Sequence, residues 1–125
     1  MTEVINTKKA PAAVGPYSQA IKKDNFIFVS GQIPFDPETM ELVSEDITEQ
    51  AEQSLKNVEE ILKEAGASLN DVVKARVYLD DMDQFGKANE IYGKFFSNHL
   101  PARACVEVSR LPKDVKVEIE VTAVL

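Results

Sequence analysis

Pro101-Ala102-Arg103-Ala104-Cys105-Val106-Glu107-Val108, then Arg110-Leu111-Pro112-Lys113-Asp114, then Val115-Lys116-Val117-Glu118-Ile119-Glu120-Val121, is the stretch that decides how the chain is read. Both outer pieces alternate with period two, the pattern of half-buried strands. In the first, Ala102, Ala104, Val106 and Val108 share one side, and Arg103, Cys105 and Glu107 share the other. In the second, Val115, Val117, Ile119, Val121 and Ala123 stand opposite Lys116, Glu118, Glu120 and Thr122. If both apolar sets face one core, Arg103 and Glu118 emerge on the same side of one sheet. A guanidinium and a carboxyl in a common recess suit a small carboxylate substrate, the first clamping the anion and the second handling a proton.

Upstream, residues 18–23 and 26–30 read as two short strands around a Lys23-Asp24-Asn25 turn. Phe26-Ile27-Phe28-Val29 is continuously apolar, which predicts burial on both faces. The opening segment as far as Gly15-Pro16, rich in Ala and Pro, reads as irregular. Asp46 caps a helix, with Glu49 completing a capping box, and Gly66 ends it. Ile47, Ala51, Leu55, Val58, Leu62 and Ala65 give that helix one apolar stripe. Residues 71–79 form a further strand, with Val73, Ala75, Val77 and Leu79 alternating against Val72, Lys74, Arg76 and Tyr78. Asp81 and Gln84 open a second helix, its apolar positions including Met82, Phe85, Ala88, Tyr92, Phe95 and Phe96. The order strand-strand-helix-strand-helix-strand-strand predicts an α+β layer with both helices on one sheet face. The other face, holding Arg103, Cys105, Glu118 and Glu120 beside Val72, Tyr78 and Val124, is too mixed for plain exposure, and self-association is the economical way to cover it.

The 125 residues suit one domain spanning 1–125. No apolar run approaches the roughly 20 residues needed to cross a bilayer. The N-terminal residues lack the pattern of a secretory signal, and a lone cysteine, Cys105, points to a reducing compartment, the cytoplasm. The net charge of −7 has no compensating basic stripe, which disfavours nucleic acid and leaves any carboxylate ligand to local groups such as Arg103. One histidine, His99, and one cysteine do not make an ordinary zinc site, so no metal is expected. Asp80, Asp81 and Asp83 read as charges favoured at a helix start.

These blocks also resemble a known family. The stretch from Pro101 to Glu120 is similar to the C-terminal signature of the Rid (YjgF-type) reactive-intermediate imine deaminases. Ala10-Pro11-Ala12-Ala13-Val14-Gly15-Pro16-Tyr17-Ser18-Gln19 and Val29-Ser30-Gly31-Gln32-Ile33-Pro34 match two further blocks in order. Within the family the likeness is to the 2-iminobutanoate/2-iminopropanoate deaminase subgroup. It implies a chorismate-mutase-like fold, an about six-stranded mixed sheet with two helices on one face. It also implies a homotrimer with ligand clefts between subunits and no cofactor.

Spacing alone favours pairing Arg103 with a carboxylate such as Glu107 or Glu120, and leaves Glu118 a solvated strand residue. The resemblance assigns Arg103 to the substrate carboxylate and Glu118 to the attacking water. It implies that Tyr17 closes over the ligand, that Ser30 and Gly31 supply backbone contacts, and that Asn89 adds a polar wall. Cys105 has no histidine partner by spacing and reads as a small apolar residue; the resemblance implies contact through its backbone. The expected activity is hydrolysis of 2-imino acids and their enamines to 2-oxo acids and ammonia, in metabolite damage control. Two alternatives remain open, a non-enzymatic trimeric module that binds 2-oxo acids, and the RNA cleavage with translation inhibition reported for some relatives. The rim segment Phe96-Ser97-Asn98-His99-Leu100 looks shorter than in many relatives, which bears on substrate size.

Overall fold

In the computed structural model, which describes residues 2–125, six strands form one mixed sheet with two α-helices on one face. The strands are β1 (Thr2–Ile5), β2 (Ala20–Lys23), β3 (Phe26–Gln32), β4 (Val72–Leu79), β5 (Ala102–Glu107) and β6 (Val117–Val124). The helices are α1 (Ile47–Glu64) and α2 (Phe85–Phe95). Across the sheet the order is β1-β2-β3-β6-β4-β5, antiparallel throughout except for the parallel pair β4 and β5. The α2 crossover between β4 and β5 is what permits that parallel pair. No helix among the described residues is long and apolar enough to cross a membrane.

The α1 punctuation comes from its ends. The Asp46 carboxylate accepts the Glu49 N–H at 3.1 Å. The expected reciprocal half of a capping box does not form there, because the Asp46 N–H donates to Ser44 Oγ at 2.9 Å. A complete box closes instead at Ser68 and Asp71, ahead of β4. At the other end Gly66, with φ +84°, lets its N–H reach Lys63 O and the Ala67 N–H reach Leu62 O. The α1 stripe Ala51, Leu55, Val58, Ile61 and Leu62 is fully buried against Ile27, Ala75, Leu79, Ile119 and Ala123 of the sheet. Each Leu, Ile or Val among them contributes about 1.5–3 kcal/mol by leaving water.

Three further expectations are corrected. The opening segment is not irregular throughout: Thr2–Ile5 adds β1 to the sheet edge, with Ile5 paired to Ala20 and buried. Four residues with a single buried side chain give too short an alternation to stand out in the sequence. Phe26 and Phe28 are not buried; they are 48% and 49% exposed, stacked at 6.0 Å on the face away from the helices. Lastly, the β4 register shifts between Val72 and Lys74, so Val72 pairs with Ala123 and is buried while Val73 is exposed. An irregularity of that kind resets the period-two pattern within a strand.

Candidate functional site

The expected common side for Arg103 and Glu118 does not exist within one chain. Arg103 pairs with Ala75 and Cys105 with Val77, both buried residues on the helix-covered face. Glu118 pairs with Tyr78, and Glu120 with Arg76, on the uncovered face. Arg103, exposed, and Cys105, half-buried, therefore lie on the α2 side, while Glu118 and Glu120 lie on the opposite side of the sheet. The reason is β5. Its small and apolar set, Ala102, Ala104 and Val106, points to the uncovered face and is exposed, so polarity within that strand misreports the core side.

On the covered side, Arg103 is held by α2. Its Nη1 donates to Asn89 Oδ1 at 2.6 Å, and its guanidinium carbon lies 4.7 Å from the Tyr92 ring centre and 5.5 Å from that of Phe85. Phe85, Asn89 and Tyr92 recur at helical spacing and present one face to the arginine. Neither expected carboxylate partner is used, since Glu107 accepts the Met82 N–H and Glu120 is engaged elsewhere. Burial pushes the Cys105 thiol up, with Arg103 opposing, so the sulfur is a protonated neighbour of the arginine. Open space here is only about 10 Å³, less than a substrate requires.

On the other side lies a cleft of about 540 Å³ lined by Tyr17, Ser30, Gly31, Lys113, Glu118 and Glu120, with Val14, Ile33 and Pro112. The β3–β6 register shifts between Val29 and Gln32, placing Ser30 and Gly31 in a bulge. Glu118 rests against that bulge: a Cβ built on Gly31 would fall 2.8 Å from Glu118 Cδ and clash with a carboxylate oxygen. Burial, and secondarily Glu120, push the Glu118 carboxyl above its ordinary range.

Tyr17 reaches this cleft because the loop before β2 is tied down. The Gln19 side chain donates to Thr7 O, Ala10 O and Pro11 O and accepts the Thr7 N–H, and Tyr17 N–H closes onto Gly15 O at 2.9 Å. Gly15 adopts φ +126°, which side chains resist. Ser30 is committed internally, its Oγ donating to Ser18 O at 2.6 Å and its N–H to Gln19 O at 2.9 Å. His99 is structural, its Nε2 lying 2.6 Å from Val72 O.

The structure thus gathers Tyr17, Ser30, Gly31 and Glu118 on one side, and Asn89, Arg103 and Cys105 on the other. The sequence reading missed the ring platform of Phe85 and Tyr92, taken there only as core, and the cleft residues Val14, Ile33 and Lys113. The i, i+4, i+7 spacing of Phe85, Asn89 and Tyr92 was the available signal for the first.

Comparison with known proteins gives this geometry its context. A RutC family protein of Pyrococcus abyssi is 61% identical over 121 residues, covering 97% of this chain and 95% of its own. The 2-iminobutanoate/2-iminopropanoate deaminase of Mus musculus is 52% identical over 122 residues, covering 98% of this chain and 90% of its own. The crystal structure of E. coli TdcF with bound serine superposes with a TM-score of 0.94 at 45% identity, covering 98% of both chains. The family model described as Endoribonuclease L-PSP matches residues 7–125. With the α+β architecture and the matched blocks in place, the chain belongs to the Endoribonuclease L-PSP family, that of the Rid (YjgF-type) proteins.

Proposed function

We propose that this protein hydrolyses short 2-imino acids and their enamine tautomers to 2-oxo acids and ammonia, without a cofactor, in metabolite damage control. The observation that carries the reading is the seat of Glu118, a partly buried carboxyl of raised proton affinity on a bulge in a substrate-sized cleft. The names carried by the Mus musculus and Salmonella typhimurium relatives support the same chemistry.

In this reading the Arg103 guanidinium clamps the substrate carboxylate and turns the imine carbon toward a water held by Glu118. The water oxygen bonds to that carbon, the C=N π electrons move to nitrogen, and Glu118 takes the water proton. Glu118 returns that proton to nitrogen, then takes the hydroxyl proton and passes it to the same nitrogen as the C–N bond breaks; the O–H electrons form the carbonyl and ammonia leaves. Because Arg103 and Glu118 occupy opposite faces of one sheet, the reading requires a second copy of the chain. A homotrimer in which the α2–β5 edge of one chain closes the Glu118 cleft of the next supplies it. The half-exposed Phe26 and Phe28 on the uncovered face are apolar area that such packing would bury.

The test couples threonine dehydratase to this protein and follows 2-oxobutanoate release. Faster release is expected; unchanged release with the dehydratase in excess overturns the reading. The family's description favours a second reading, RNA cleavage. The charge of −7 opposes it, and salt-sensitive binding to single-stranded RNA is the result that would support it.

A further inference from the structure

The uncovered face carries a polar cluster that the hydrolysis scheme leaves unused. Glu120 lies two residues from Glu118 on the same face of β6 and lines the same cleft. Tyr78 donates its phenolic O–H to Glu120 Oε1 at 2.5 Å, and Arg76 Nε stands 4.0 Å from that oxygen. Register explains the grouping. Arg76 is the cross-strand partner of Glu120 and Tyr78 that of Glu118, so the phenol reaches diagonally across the ladder. Tyr78 remains a donor, because its bond to Glu120 and then its burial push the phenol up. Strand geometry sets the α-carbons of the two glutamates roughly 6–7 Å apart along β6, with both side chains on one face. A charge on Glu120 at that range disfavours ionisation of the partly buried Glu118.

We propose that Glu120 is a positioning residue for the reaction: its negative charge, pinned by Tyr78 and Arg76 beside the cleft, strengthens Glu118 as the acceptor that takes a proton from the water oxygen and holds it for delivery to the substrate nitrogen. The inference rests on reading Glu118 as the proton-handling group. The other groups facing Glu118 leave this role to Glu120. Strand β4 presents Tyr78 and Arg76, the latter turned to Glu120; the Pro112–Asp114 turn presents Lys113; the loop before β2 presents Tyr17; and the β3 bulge presents only Ser30 and Gly31. Of these, burial and Glu120 are what raise Glu118.

The experiment is a carbon-13 NMR titration of the Glu118 carboxyl in the assembled wild-type protein, E120Q and E120D, with kcat and KM measured on the same samples. Glutamine keeps an oxygen for the Tyr78 bond and removes only the charge. E120Q should lower the Glu118 midpoint by about 0.5–1 pH unit, and lower kcat several-fold near neutral pH with KM within about twofold. E120D should restore both. An unmoved midpoint in E120Q, or an aspartate that behaves like glutamine, overturns the role of Glu120 while leaving imine turnover intact. A shifted midpoint in a wild-type protein without turnover upholds the coupling of the two carboxyls and removes the hydrolysis reading instead.

Discussion

The Glu118 carboxyl lies directly over the α-carbon of Gly31, so close that a methyl there would come within 2.8 Å of Glu118 Cδ. Only the end of a flexible side chain obstructs the space. Gly31→Ala should therefore displace the carboxyl and leave the fold intact: kcat/KM falls roughly 10–100-fold, while stability changes by less than about 1 kcal/mol. Steady-state kinetics beside a thermal melt check both halves, and a collapsed melting temperature would show the glycine to be structural.

Arg103→Lys should lower kcat/KM roughly tenfold or more, since an ammonium has no bidentate fork and the Asn89 bond is made by a guanidinium nitrogen. The loss should appear chiefly with carboxylate substrates. An equal loss on an imine lacking the carboxylate would argue against the clamp.

Cys105→Ser should retain substantial activity. The thiol is pushed up by burial and is thus a poor nucleophile near neutral pH. Activity approaching zero in this variant, with the fold preserved, would return covalent catalysis to consideration.

Glu118 makes a signed contribution to stability against pH. Its folded proton affinity is raised, by burial first and Glu120 second. Between the ordinary glutamate value and that raised value the native state binds more protons than the unfolded one, so stability falls as pH rises through the window. Glu118→Gln removes the dependence. Melting temperatures at acidic and mildly alkaline pH should show the variant gaining on wild type as pH rises, while its turnover is strongly reduced. A gain on lowering pH would contradict the raised affinity.

Opposite placement of Arg103 and Glu118 gives a complementation test. Arg103→Ala and Glu118→Gln should each be inactive alone. Denatured together and refolded, they should recover a fraction of wild-type activity, because some mixed assemblies pair an intact arginine with an intact carboxyl. Phe28→Glu, placing charge on the uncovered face, should reduce both assembly size in sedimentation and activity. Active monomers would sink the shared-cleft reading.

Much of this was legible in the chain. Asp46, Gly66 and the α1 stripe announce a helix through local hydrogen bonding and 3.6-residue spacing, which depend on nothing distant. The β6 alternation also holds, since Val117, Ile119, Val121 and Ala123 are all buried. What alternation does not encode is which side of a strand meets the helices when both sides carry modest polarity. In β5 the exposed Ala102, Ala104 and Val106 look like core, whereas Arg103, itself exposed, and the half-buried Cys105 stand on the helix side. Only the parallel pairing with β4 settles the matter, and that is a long-range fact. The bulges at Ser30-Gly31 and near Val73 escaped for the same reason, because a register shift is a property of two strands.

The arginine over Tyr92 has a consequence for recognition. Set over the Tyr92 ring, close to that of Phe85, and tethered to Asn89, its guanidinium is held in place before any anion arrives. A ligand carboxylate then meets a fork at rest, and more of the contact energy is left to favour capture of a small molecule.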